Sequence, residues 1–204
     1  TNVRLTLEAA DLAEYANIKG GFDGALAKMT QLAEKARASK DSFDLHAARS
    51  ALFDVKNIKM KLYRATAVAK RHGAAQYIRQ THAANLPRAT IVFFHHQTML
   101  ETLRAEFPDA VVIDGSTPAK ARQPIVDKVA SGQKTLAFLS LAACCVGLNF
   151  TPEVTRVVFA ELGFNPSDLR QAEARAHRIG AKHPVQIDYL IAESTLDGNI
   201  LALN

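Results

Sequence analysis

Residues 90–140 read TIVFFHHQTMLETLRAEFPDAVVIDGSTPAKARQPIVDKVASGQKTLAFLS, and they alternate between two textures. Ile91-Val92-Phe93-Phe94, Val111-Val112-Ile113 and Leu136-Ala137-Phe138-Leu139 are short apolar runs with no polar alternation. A strand with one wet face would show every second residue polar, so these runs predict strands buried on both faces. The segments between them carry apolar residues three and four apart, the period of a helix. Downstream, Val157-Val158-Phe159 and Ile187-Asp188-Tyr189-Leu190-Ile191 continue the pattern. Alternating β and α predicts an α/β fold in which a parallel sheet is covered by helices on both faces. Helix starts are predicted at Thr117-Pro118, at Asn165-Pro166, and at Ser194 with Asp197 three residues on.

Upstream the texture is different. From residue 5 to about 86 the period is helical throughout, as in Leu45, Ala48, Leu52, Val55 and Leu62. Gly20-Gly21 and the cluster Ser39-Lys40-Asp41-Ser42 are predicted to break this stretch into separate helices. The expected organisation is therefore a helical segment over 1–88 that leads into an α/β domain over 89–204.

The whole chain has 204 residues, 48% hydrophobic and 22% charged, with no Trp and two Cys. That composition excludes a disordered tail, a collagen-like rod and a disulfide scaffold. Cys144 and Cys145 are adjacent in an apolar run and read as small buried residues of a reducing compartment, so an intracellular protein is expected, cytoplasmic in a bacterium or phage before nuclear. No apolar stretch reaches the ~20 residues that span a bilayer, and no signal peptide is legible, so no membrane partner is expected. Opening on Thr1 instead of Met, the chain reads as a piece of a longer polypeptide.

Charge is unevenly spread. Residues 1–88 carry a net +7 and residues 89–204 a net −2. Between Asp54 and Glu101 there is no carboxylate, while Lys56, Lys59, Lys61, Arg64, Lys70, Arg71, Arg79 and Arg88 all fall there. Such a one-signed stretch can follow a phosphate backbone, or it can be a solvated helix face whose partners lie elsewhere in the fold.

Parallel α/β sheets bind ligands beyond the carboxyl ends of their strands. After the first predicted strand come His95 and His96, without a Cys or carboxylate at ligand spacing in the same loop, so no metal site is predicted. Asp114-Gly115-Ser116-Thr117 reads as a turn and helix cap before it reads as an anion site. Ser131-Gly132-Gln133-Lys134-Thr135 imitates a phosphate-binding loop, but Gln133 stands where that loop needs Gly, and the segment precedes a strand. Gln171, Arg175 and Arg178 lie four and then three apart on the helix begun at Asn165-Pro166, so an amide and two guanidiniums share one face. Two such arginines form a fork for a polyanion, or they complement the dipole of the last helical turn.

The segment Gln171-Ala-Glu-Ala-Arg175-Ala-His177-Arg178-Ile-Gly180 resembles motif VI of the SWI/SNF helicase-like ATPases, a superfamily 2 group whose pattern is Gln-Ala-x-Asp-Arg-x-His-Arg-Ile-Gly-Gln. Upstream, Ser140-Leu-Ala-Ala-Cys-Cys-Val-Gly147-Leu-Asn149-Phe-Thr151 is similar to motif V, followed by Val-Val-Phe-Ala-Glu161 and Phe164-Asn165-Pro166. Phe93-Phe94-His95-His96, and Ile113 to Thr117 with Arg122, resemble the motif IV region. Within the family the HARP-type annealing helicases look most similar. The resemblance covers roughly residues 60 to 201. This chain departs from the pattern at Ala174 for Asp, Ala181 for Gln, Phe164 for Trp, Cys144-Cys145 for Gly-Gly, and Leu141 for a hydroxyl residue.

The resemblance implies the second, C-terminal RecA-like lobe of a two-lobe DNA-dependent ATPase and translocase. Arg175 and Arg178 would be arginine fingers to the γ-phosphate, with Gln171, Gly147 and Asn149 at the nucleotide cleft. Ser140, His95, His96 and Lys70 would meet double-stranded or forked DNA. ATP and Mg²⁺ would be held by a first lobe of the same polypeptide, because this chain has no Gly-Lys-Ser/Thr loop and no Asp-Glu-x-His box. The alternative reading is a non-catalytic DNA-binding or protein-interaction module that keeps a motor-lobe fold.

Overall fold

The structure, a computed structural model, describes residues 1–142, 150, 153–176 and 183–203, without the side chains of Arg175, Ala176 and Leu203. Among them the elements run β1 (Asn2–Leu5), α1 (Ala9–Ser39), α2 (Ser42–Asn85), β2 (Ala89–Phe94), α3 (Gln97–Glu106), β3 (Val111–Ile113), α4 (Ala119–Ala130), β4 (Leu136–Ser140), β5 (Val154–Phe159), α5 (Pro166–Ala176), β6 (Gln186–Ala192) and α6 (Leu196–Leu203). The chain divides into two compact units, residues 7–69 and residues 1–6 with 70–204, so α2 passes from one unit into the other. No helix among the described residues is long and apolar enough to cross a membrane.

The six strands form one sheet in the order β1-β6-β5-β2-β4-β3, and every pairing is parallel. All five strands expected from the apolar runs are present, and β2, the run Ala89–Phe94, is buried along its whole length between β4 and β5. Right-handed crossovers place α3, on the path from β2 outward to β3, on one face. The returning crossovers that contain α4 and α5 lie on the other. The α/β architecture with both faces covered is thus the one expected.

Three local features differ from the sequence reading. β1 was not expected: Asn2–Leu5 pairs with Tyr189–Ala192 as an edge strand, with Val3 half-buried, Leu5 buried and Arg4 exposed. Gly20-Gly21 does not break a helix but lies inside α1, which ends only at the predicted Ser39–Ser42 cluster, where Lys40 takes a left-handed conformation. The cap of α6 sits one residue later than predicted, because Ser194 has φ 61° and Thr195 Oγ1 accepts from Asp197 N at 3.3 Å.

Partly buried polar groups tie the elements together. Asn85, the last residue of α2, donates to Arg88 O and Ala89 O and to Thr90 Oγ1 at 3.1 Å, and accepts from Thr155 Oγ1 at 2.9 Å. One amide thereby joins a helix end to β2 and β5, leaving few of its bonding positions unmade. Gly73 allows α2 to approach the end of β1, since a Cβ there would lie 3.4 Å from Thr6 O.

Candidate functional site

The crossovers leaving β2 and β5 run to opposite faces, which opens a crevice at the carboxyl ends of the central strands. Into this crevice the sheet register delivers three predicted residues. Phe94 pairs with Ser140, so His95 and His96 emerge beside Ser140, which is buried. Phe93 pairs with Phe159, so Glu161 emerges from β5 next to the same loop.

Glu161 organises this end of the sheet. Its carboxylate is 1% exposed, and one oxygen accepts from His95 N at 2.7 Å and His96 N at 2.8 Å. The other oxygen meets His96 Nδ1 at 2.6 Å. Burial works against ionisation of this carboxyl, but the His96 ring, the more distant Lys70 ammonium and the donated N–H groups outweigh it and hold its pKa below the usual carboxylate value. The His95 ring stands edge-on to His96 with centroids 4.7 Å apart, and burial, then His96, lowers its pKa despite Glu161. Sequence reasoning matched Glu161 to a motif without giving it a role. The available signal was an acid placed directly after a buried apolar run.

The helix expected to carry the arginines is in place. At its start Asn165 Oδ1 accepts from Ser167 N at 3.1 Å and Asn165 Nδ2 donates to Asp168 Oδ1, the predicted cap. Leu169 and Ala172 are buried and Gln171 is exposed, while Glu173 accepts from Tyr189 OH at 2.5 Å. That bond and the stacking of Tyr189 on Phe159, centroids 5.0 Å apart, seat α5 against β5 and β6. Burial, then the Glu173 contact, raises the Tyr189 pKa, so the phenol keeps its proton. The backbone of Arg175 belongs to α5. Arg178, Gly147, Asn149 and the pair Cys144-Cys145 lie outside the described residues.

Lys70 is placed otherwise than expected. It is 1% exposed, with its ammonium 2.7 Å from Asp197 Oδ2 and donating to Leu190 O at 3.2 Å. An ammonium enclosed in this way is not at the surface where DNA could reach it. The rest of the basic interval differs from Lys70: Arg79 is exposed although it pairs with Glu106 and lies over the Phe107 ring, and Lys56, Lys61 and Arg64 are exposed as well.

Two anion-site candidates resolve into local structure. Asp114 Oδ1 accepts from Ser116 N and Oγ and from Thr117 N and Oγ1, so the turn gives its donors to its own carboxylate. The Ser116 hydroxyl is the main cause of the lowered Asp114 pKa. Gly132, at φ 74°, ends the turn after α4, and Lys134-Thr135 enter β4 directly. Among the described residues no group of three or more His, Cys, Asp or Glu side chains is arranged to hold a metal ion.

Burial lowers the pKa of His82 as well as that of His95. The unfolded chain, with imidazoles near pKa 6.5, then binds more protons in mildly acid solution than the folded chain does. The stability these rings contribute is complete above about pH 6.5 and is lost as the pH falls through their lowered folded values. The melting temperature is therefore expected to fall between about pH 7 and pH 5, and to fall less in a His82→Asn, His95→Asn variant. Equal slopes for the two proteins in a thermal melt would show that the fold does not hold these rings in their neutral form.

Comparison with known proteins finds a family and several relatives for this chain. Residues 73–180 match the family described as Helicase conserved C-terminal domain. The chain is similar to the SWI/SNF-related matrix-associated actin-dependent regulator of chromatin subfamily A-like protein 1 homolog of Caenorhabditis elegans, with 35% identity over 76% of this chain and 24% of that protein. It is similar to the DNA annealing helicase and endonuclease ZRANB3 of Mus musculus, with 36% identity over 75% of this chain and 15% of that protein. It thus spans a quarter or less of the length of these relatives. Among solved structures, the C-terminal part of the Fun30 ATPase domain superposes with a TM-score of 0.59 at 26% identity, over 64% of this chain and 44% of that one.

Proposed function

Because the chain belongs to the helicase conserved C-terminal domain family and is of the SWI/SNF type, we propose that it is the second motor lobe of a DNA-dependent ATPase. It closes on ATP and Mg²⁺ bound by a first lobe of the same polypeptide. The observation that carries this reading is the order of parts along the fold. The β2 loop, the end of β4 and the Glu161 turn meet at one end of the sheet, and α5 follows, bearing Gln171 and Arg175 in a sequence that continues to Arg178.

The residues present fit one side of a nucleotide site. In the Asp114 turn the Ser116 and Thr117 N–H groups are given to Asp114, and the Ser131–Thr135 segment feeds a strand, so neither has the form of a triphosphate-binding loop. When bound, Mg²⁺-ATP supplies the phosphoryl group; this lobe supplies cations, with Arg175 and Arg178 neutralising charge on the γ-phosphate and Gln171 orienting them. The His95-His96 loop, held in shape by Glu161, meets the DNA backbone through its side chains, beside Ser140.

The purified 204-residue chain is accordingly expected to hydrolyse no ATP above background, with or without duplex or forked DNA. Phosphate release that responds to DNA and disappears on mutation of Arg178 in this chain alone would refute the division of labour between two lobes.

A further inference from the structure

Between Leu45 and Arg64, α2 belongs to the unit of residues 7–69, where it buries Ala51, Val55 and Leu62. Another face of the same helix carries Arg49, Phe53, Lys56, Met60 and Arg64, at spacings of four, three, four and four, which set them in one line. All five are exposed, Phe53 to 64% and Met60 to 52%. None of the three cations takes part in an ion pair among the described residues. The nearby carboxylates are elsewhere: Asp44 is buried and held by Lys35 at 2.9 Å, and Asp54 lies about 140° around the helix from Arg49.

A line of cations free of carboxylates is complementary to a polyanion. A bare phenylalanine and methionine within that line narrow the choice. Duplex DNA offers phosphates but keeps its base faces stacked, which would leave Phe53 and Met60 in water. A single strand offers phosphates and unstacked bases together, the combination that basic surfaces with interleaved aromatics bind. We propose that this face of α2 binds single-stranded nucleic acid, with phosphates on Arg49, Lys56 and Arg64 and a base stacked on Phe53 beside Met60. The line extends about 22 Å along the helix axis. The proposal goes beyond the motor reading and uses none of its ATP contacts, so either can fail alone.

The test is fluorescence anisotropy of the full 204-residue chain, without ATP, against a labelled oligothymidylate and a hairpin duplex with the same number of phosphates, over a range of NaCl concentrations. Phe53→Ala is expected to weaken oligothymidylate binding about 10-fold while leaving duplex binding nearly unchanged. Replacing Arg49, Lys56 and Arg64 together by Gln is expected to weaken oligothymidylate binding and make its salt slope shallower by about 2. All these residues are exposed, and equal melting temperatures would verify that the variants fold. Unchanged oligothymidylate affinity in Phe53→Ala overturns the proposal, and so does an equal loss on duplex. Failure to bind either nucleic acid, with self-association that Phe53→Ala abolishes, also overturns it and assigns the face to a protein contact.

Discussion

Arg178→Ala in the two-lobe protein is expected to lower DNA-stimulated ATP turnover by about 10³-fold or more while ATP still binds, the size of loss that follows removal of an arginine finger. The expectation comes from where the charge develops. Most of the nucleotide's ground-state contacts belong to the first lobe in this reading, so binding survives, whereas the guanidinium acts on charge that appears only during phosphoryl transfer. The loss should therefore fall on kcat, at about 4 kcal/mol, and leave KM for ATP nearly unchanged. Arg178→Lys should rescue little, because an ammonium keeps the charge but not the planar fork of donors. Arg175→Ala should behave alike, since Arg175 lies three residues earlier in the sequence, the spacing of neighbours on a helix. Near-normal turnover in Arg178→Ala would remove the role assigned to it, and a loss confined to KM would make it a binding residue instead.

What was legible in the sequence divides along physical lines. The five strands β2 to β6 were legible because a strand buried on both faces must be apolar throughout, so each announces itself locally. β1 was not, because it has four residues, is half polar, and exists only by pairing with β6 at the far end of the chain. Gly20-Gly21 misled because glycine costs a helix only ~1 kcal/mol per residue relative to alanine, which the rest of a 31-residue helix absorbs. At the site, α5 and the loop after β2 were legible from residue types at helical or loop spacing. Glu161 and Asp197 were not, because their partners His96 and Lys70 lie 65 and 127 residues away in sequence. An isolated Lys or Asp in a sequence reads as a solvated charge, since only contacts made in three dimensions reveal a buried pair.

Lys70→Met is expected to destabilise the chain by about 3–5 kcal/mol, the range for removing one partner of a buried ion pair. Asp197 would be left without its cation and with its side chain 1% exposed, with Ala192 N, which donates to it at 2.9 Å, as its remaining link to β6. Its other oxygen, Oδ1, has no hydrogen-bond partner among the described residues, so the lysine is the principal compensation for the charge. Adding Asp197→Asn should recover much of the loss, because the amide oxygen can still accept from Ala192 N while the buried charge is gone. Urea denaturation of the two single variants and the double variant measures the coupling directly. The same proteins decide what Lys70 does. If it sits where the structure places it, DNA affinity measured under conditions where the variant stays folded is unchanged. Normal stability together with weakened DNA binding would instead put the ammonium on the surface and the Asp197 pairing in error.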